Sequence, residues 1–149
     1  MRIRVLLHAG VTVTAVIAVL LTGCGSTPAE ELEDWYSSGG EAQIRTLADD
    51  SARVNQVSMR TIDVQGTACQ ELLTHVAKAE KLDPVPDEVA RSSWKKALAA
   101  FRHGSSECTV GAGKQDGIQV GRGIREVQTD GIPSLADTVS RIKAALKAK

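Results

Sequence analysis

Apolar residues recur every three or four positions along most of the chain, which is the spacing of one face of an α-helix. After residue 40 this pattern defines several segments, separated by proline, glycine and small polar residues. Alanine is abundant, and it suits closely packed helices better than a sheet. The pattern therefore predicts an all-α protein, a small up-and-down bundle of about four helices.

The first two helices of the predicted bundle are separated by a break at residues 64–66. Thr67 is expected to cap the second helix, which ends near Leu82 because the two prolines that follow lack backbone donors. The apolar face of the first helix comprises Ile44, Leu47, Ser51, Val54 and Ser58, and that of the second comprises Cys69, Leu72, Leu73 and Val76.

The third helix has the clearest signals. Asp87 is a natural N-cap, because its carboxylate accepts a hydrogen bond from a backbone amide of the first turn. A short connection containing proline favours an antiparallel arrangement with the second helix. The largest side chains of the region repeat along one line: Trp94, Leu98, Phe101, Ser105 and Cys108.

The region after Cys108 is less regular, with five glycines between residues 109 and 123. Each glycine costs about 1 kcal/mol inside a helix relative to alanine. We therefore expect a frayed start, followed by a helix over residues 116–127. Ser134, followed three residues later by Asp137, is a variant of the capping box and predicts the start of the final helix. The apolar face of that helix is Leu135, Val139, Ile142 and Leu146.

Residues 1–23 have the pattern of a secretion signal, with Arg2 and Arg4 ahead of a long apolar stretch. The stretch is nearly long enough to span a membrane. Its ending, Leu21-Thr22-Gly23-Cys24, instead resembles the bacterial lipobox. The resemblance implies cleavage before Cys24 and attachment of lipid, including palmitate, to that cysteine. An ordinary signal peptide with a chance cysteine is the alternative.

The sequence thus divides into a lipoprotein signal peptide (1–23), a flexible tether (24–40) and a helical bundle domain (41–149). Within the tether, residues 29–36 are expected to form a short helical turn after Pro28. Trp35 and Tyr36 of that turn are expected to rest on the bundle rather than on membrane.

Composition limits what the bundle can be. The chain has 18 basic and 18 acidic residues and an aromatic content of 3%, which argues against a nucleic-acid partner. Leu, Ile, Val and Phe make up about one fifth of the chain from Cys24 onward, so the core is lean. Cys69 and Cys108 are expected to form a disulfide in an oxidising compartment, with two buried free thiols as the alternative.

The lipobox, a cysteine on the second helix, a Pro-x-Pro linker and then Trp94, Leu98, Phe101 and Cys108 together resemble small actinobacterial-type lipoproteins of uncharacterised function. That resemblance covers the signal and about residues 60–108. It implies no activity, because the family carries none.

Candidate chemistry is sparse. Gly111-Ala112-Gly113-Lys114 lacks the first glycine and the final Ser or Thr of a phosphate-binding loop, and Gly121-Arg122-Gly123 is expected to be a surface loop. His75 and His103 each have a glutamate four residues away, without a third ligand nearby in sequence. No catalytic residue, metal or cofactor is therefore expected, and the protein is predicted not to be an enzyme.

Together these features predict a non-catalytic interaction or accessory module. We expect it to be held by its lipid on the outer, extracytoplasmic face of a bacterial cell membrane, where an envelope protein is a possible partner. The alternative is an envelope protein that binds a small apolar or lipid ligand, using space around Trp94, Leu98 and Phe101.

Overall fold

Four helical arms make up the part of the chain that the computed structural model describes, residues 26–148, and no strand occurs there. The predicted all-α bundle is thus confirmed. The first arm joins α1 (Pro28–Trp35) to α2 (Glu41–Gln56) through a π-helical turn (Tyr36–Gly40). The second and third arms are α3 (Ile62–Ala79) and α4 (Glu88–Gly113). The fourth joins α5 (Gly117–Glu126) to α6 (Ile132–Lys147) through a second π-helical turn (Val127–Gly131).

The long helix α4 is the centre of the bundle and contacts α3, α5 and α6. It begins as predicted: the Asp87 carboxylate accepts a hydrogen bond of 2.8 Å from the Ala90 amide. Its buried face combines large side chains with small ones, so neighbouring helices approach it closely in its second half. The buried residues of α4 are Ala90, Trp94, Ala97, Leu98, Phe101, Gly104, Ser105, Cys108 and Gly111.

The fourth arm runs antiparallel to α4 along almost the whole length of that helix. Near one end Gly111 lies against the Val120 backbone, and near the other Arg141 of α6 pairs with Asp87. The helix predicted over residues 116–127 is confirmed as α5, whereas the frayed start expected before it is wrong. The glycines weaken helix propensity, but they let the helices pack backbone to backbone, and Asp116 caps α5 by accepting from two amides.

Two further predicted boundaries are wrong for the same reason, that packing overrides local signals. The break at residues 64–66 does not exist, because α3 starts at Ile62 and Gly66 packs against Ala112 of α4. Thr67 is not a cap; its hydroxyl donates to the Asp63 carbonyl inside the helix.

The final helix also begins earlier than its capping signal indicates. Ser134 is not an N-cap, since α6 continues directly from the π-helical turn before it. At that turn Gly131 lies against the ring of Phe101. The contact leaves no room for a side chain at residue 131.

The bundle begins at Pro28, so residues 28–40 are not a flexible tether. Thr27 caps α1 in a capping box with Glu30. Trp35 is buried, and its indole N–H donates a hydrogen bond of 2.7 Å to the Asp83 carbonyl. Gly39, with a φ of 146°, makes the kink between α1 and α2, a backbone conformation that side chains disfavour.

The predicted disulfide between Cys69 and Cys108 is confirmed. It joins α3 to α4, with Cα atoms 6.1 Å apart, and both cysteines are fully buried. The predicted signal segment and Cys24 lie outside the described residues. Among residues 26–148, no helix combines the length and the apolarity needed to cross a membrane.

Candidate functional site

A groove of about 610 Å³ lies between the end of α3, the linker after it and the first half of α4. We call it the α4 groove. Its apolar lining comes from three elements: Ala79 at the end of α3, Leu82 and Val85 on the linker, and Trp94 and Leu98 on α4. Two of the three side chains predicted to face a ligand, Trp94 and Leu98, therefore do lie at a groove.

Phe101, the third of those side chains, is not in the α4 groove. It is fully buried and packs against Gly131 at the π-helical turn of the fourth arm. The prediction placed it with Trp94 and Leu98 because all three share one helical line. The ring of Phe101 is covered by Gly131 of the fourth arm, so Phe101 belongs to the core and not to the groove.

Basic side chains surround the apolar lining of the α4 groove. Three permanent cations, Arg91, Lys95 and Arg102, line it together with two carboxylates, Glu80 and Asp83. The apolar pattern of the sequence does not single out these cations. Their spacing along α4 beside Trp94 and Leu98 was the signal that could have found them.

The cations differ in how they are held. Arg102 forms an ion pair with Glu80 across the groove. Arg91 donates hydrogen bonds of 2.6 Å and 2.8 Å to the carbonyls of Val85 and Pro86. It has no carboxylate partner within residues 26–148, and Lys95 has no hydrogen bond or ion pair there.

His103, at the edge of the groove, forms a hydrogen bond with a residue of another helix and not with the glutamate four residues away in sequence. Its Nδ1 lies 2.5 Å from a carboxylate oxygen of Glu126 on α5, rather than near Glu107. This hydrogen bond, with the charge of Glu126, raises the pKa of His103 above its ordinary value. The imidazole therefore links α4 to α5 most strongly when it is protonated.

His75 likewise pairs across helices. Its Nδ1 lies 2.5 Å from Asp50 on α2, and both side chains are half-buried. Sequence spacing had pointed to Glu71, which instead forms an ion pair with Arg53. No group of three potential metal ligands occurs among residues 26–148.

The two glycine-rich motifs are packing elements. Gly111-Ala112-Gly113 ends α4, and Gly111 and Ala112 contact α5 and α3 respectively. The expectation that Gly121-Arg122-Gly123 is a surface loop is wrong, because the segment lies inside α5. Glycine at the point of contact lets helices approach backbone to backbone, which explains Gly111 and Gly123. A Cβ atom on Gly113 or Gly121 would meet nothing within 4 Å, so packing does not require glycine there.

A second groove, of about 540 Å³, lies between α2 and α6. We call it the α2–α6 groove. Small side chains of α2, including Ala48 and Ala52, form one wall, and Leu135 and Val139 of α6 contribute to the other. The sequence placed Leu135 and Val139 on a buried face; Val139 is only half-buried, because α2 and α6 do not close on each other.

Comparison of the chain with protein-family models, with curated proteins and with solved structures finds no match.

Proposed function

We propose that the protein is a bacterial lipoprotein, anchored through Cys24 to the outer face of the cell membrane, where its helical bundle serves as a non-catalytic interaction module. The observation that carries this proposal is the segment Leu21-Thr22-Gly23-Cys24 behind a basic and apolar leader. Two or more acyl chains on one cysteine give stable membrane attachment, whereas one gives only marginal binding.

Only a few residues separate the proposed lipid attachment point, Cys24, from the start of the bundle. α1 begins at Pro28, four residues after Cys24. Four residues span at most about 14 Å when fully extended. A lipid on Cys24 would therefore hold the bundle close to the membrane surface.

An interaction role is supported by the two surface grooves. Both have mainly apolar linings on rigid helices, which is typical of sites that bind a ligand or a partner. The disulfide between α3 and α4 fits an extracytoplasmic location, because disulfides persist in oxidising compartments.

Metabolic labelling with radioactive palmitate tests the anchor. We expect label on the wild-type protein and none on Cys24→Ala, which should also leave the membrane fraction. A double variant, Cys69→Ala with Cys108→Ala, is the matched control and should keep its label. Label on Cys24→Ala, or unchanged membrane partitioning of that variant, would refute the proposal.

Photo-crosslinking in living cells tests the interaction role. A photoreactive residue at Ala52 in the α2–α6 groove should form a discrete adduct with an envelope protein. The same residue at the exposed Gln70 on α3 is the control. Identical crosslinking patterns at the two positions, or no adduct at Ala52, would argue against an interaction role.

A further inference from the structure

We propose that the α4 groove binds a long-chain carboxylate, with its acyl chain on the apolar lining and its carboxylate at Arg91 and Lys95. This ligand site goes beyond the membrane attachment proposed above and does not depend on it. The inference combines three properties of the groove: its lining, its unpaired positive charge and its size.

The lining selects an apolar chain. Leu82 on the linker and Ala99 on α4 expose apolar surface to the groove, and the nearly buried side chains of Val85, Trp94 and Leu98 form its floor. An acyl chain that lies along these side chains exchanges water contact for apolar contact, which is the main favourable term in binding such a ligand. A polar ligand would gain nothing from this surface.

The charges select an anionic head group. Arg91 has two hydrogen bonds to backbone carbonyls but no carboxylate partner within the described residues, and Lys95 has no polar partner there. Arg102, in contrast, is neutralised by Glu80. Asp83 also lines the groove, and its negative charge disfavours a carboxylate at the linker, so the head group is directed to Arg91 and Lys95 on α4.

The size of the groove favours a small molecule over a protein. A volume of about 610 Å³ falls within the range of roughly 300–1,000 Å³ that is usual for small-ligand pockets. A stable protein interface needs about 800 Å² from each partner. A single-chain amphiphile fits a site that is apolar along its length and cationic at one side.

A binding experiment on the chain that begins at Gly25 tests this proposal. Every residue of the buried core, from Leu32 to Ile142, lies in that chain, so it contains the whole bundle. A dansyl-labelled undecanoic acid is titrated into the protein and then displaced by palmitate, below the micellar concentration of either compound. We expect saturable binding of one molecule per chain.

Paired variants locate the site. Ala99→Phe fills the α4 groove and should weaken binding about tenfold or more, whereas Ala52→Phe fills the α2–α6 groove and should leave it unchanged. Lys95→Glu should weaken binding by about tenfold, because a charge-assisted contact becomes a repulsion. Lys114→Glu makes the same charge change at the opposite end of α4 and is its control.

Competitors of different charge test the head-group assignment. Palmitate should displace the labelled acid at roughly tenfold lower concentration than methyl palmitate or hexadecyltrimethylammonium. Three outcomes would overturn the proposal: no saturable binding, equal competition by all three compounds, or unchanged affinity in both Ala99→Phe and Lys95→Glu. Loss of binding in Ala52→Phe alone would move the ligand to the α2–α6 groove.

Discussion

Gly104 of α4 and Gly123 of α5 hold the backbones of the two helices in direct contact. A Cβ atom on Gly104 would lie 2.7 Å from the Gly123 carbonyl oxygen, and one on Gly123 would lie 2.5 Å from the Cys108 amide nitrogen. Real Cβ atoms do not approach backbone so closely. The two glycines therefore set the separation of α4 and α5.

The first prediction follows from this contact. Gly123→Ala should destabilise the protein by about 3 kcal/mol, because the helices must separate to admit the methyl group. Gly121→Ala, two residues earlier in α5, meets no atom within 4 Å and should stabilise it by about 0.5–1 kcal/mol through helix propensity. Urea unfolding followed by circular dichroism measures both. Equal effects at the two positions would contradict the packing role of Gly123.

This glycine contact also shows where sequence patterns stopped being informative. The 3–4 spacing of Trp94, Leu98 and Phe101 predicted α4 and its cap, since apolar periodicity and capping act locally. A glycine at a helix contact and a glycine at a break look identical in one sequence. The sequence therefore predicts a break at Gly66 and a loop at Gly123. In the structure both residues lie inside helices, where each packs against α4.

The candidate site was predictable only in part for a similar reason. Trp94 and Leu98 were found from their line on one helix. The cations of α4 line a groove only because the linker after α3 lies opposite them. Periodicity within one helix does not predict the position of that linker. The histidine pairs show the same limit, because Asp50 and Glu126 reach their partners from other helices.

The second prediction concerns α1. Trp35 packs edge-on against Trp94, with ring centroids 6.2 Å apart, and hydrogen-bonds to Asp83. Trp35→Ala should cost about 3–5 kcal/mol in unfolding free energy, as expected for a buried aromatic side chain. Ser37→Ala, at an exposed position two residues after Trp35, should change stability by less than about 0.5 kcal/mol. A neutral Trp35→Ala would mean that residues 28–40 are a tether after all.

The third prediction concerns the disulfide. Cys69 and Cys108 are separated by 39 residues, and closing a loop of about 40 residues in the unfolded chain is worth roughly 3.9 kcal/mol in the chain-entropy model. The double variant Cys69→Ala with Cys108→Ala should lose about that amount. Chemical denaturation of both proteins under non-reducing conditions measures it. Wild-type protein denatured with a reductant should approach the stability of the double variant, and a difference near zero would contradict the prediction.

The fourth prediction separates two roles of Asp87. Its carboxylate caps α4 through Ala90 and also forms two hydrogen bonds, of 3.0 Å and 2.8 Å, with Arg141 of α6. Asp87→Asn keeps a capping oxygen but loses the ion pair, whereas Asp87→Ala loses both. We expect Asp87→Asn to cost less than about 1 kcal/mol and Asp87→Ala about 1 kcal/mol more.

The pH dependence of the Asp87 variants provides the check. The hydrogen bond from Arg141 lowers the pKa of Asp87 below its ordinary value. The stability from this group is therefore fully present above about pH 4, the unfolded pKa of Asp, and is lost as the pH falls through the folded pKa. The difference between wild type and Asp87→Asn should shrink on acidification; a difference that grows would contradict the assignment.

The fifth prediction has the opposite sign. The pKa of His103 is raised, chiefly by its hydrogen bond to Glu126, so its contribution to stability is present below about pH 6.5 and is lost as the pH rises through the folded pKa. Titration of the imidazole proton resonances by NMR should give a pKa above 6.5 in the wild type. Glu126→Gln should return it to about 6.5, while Glu107→Gln, which removes the weaker of the two contributing charges, should lower it much less. Equal effects of the two substitutions would show that general negative charge, rather than the bond between α4 and α5, holds the proton on His103.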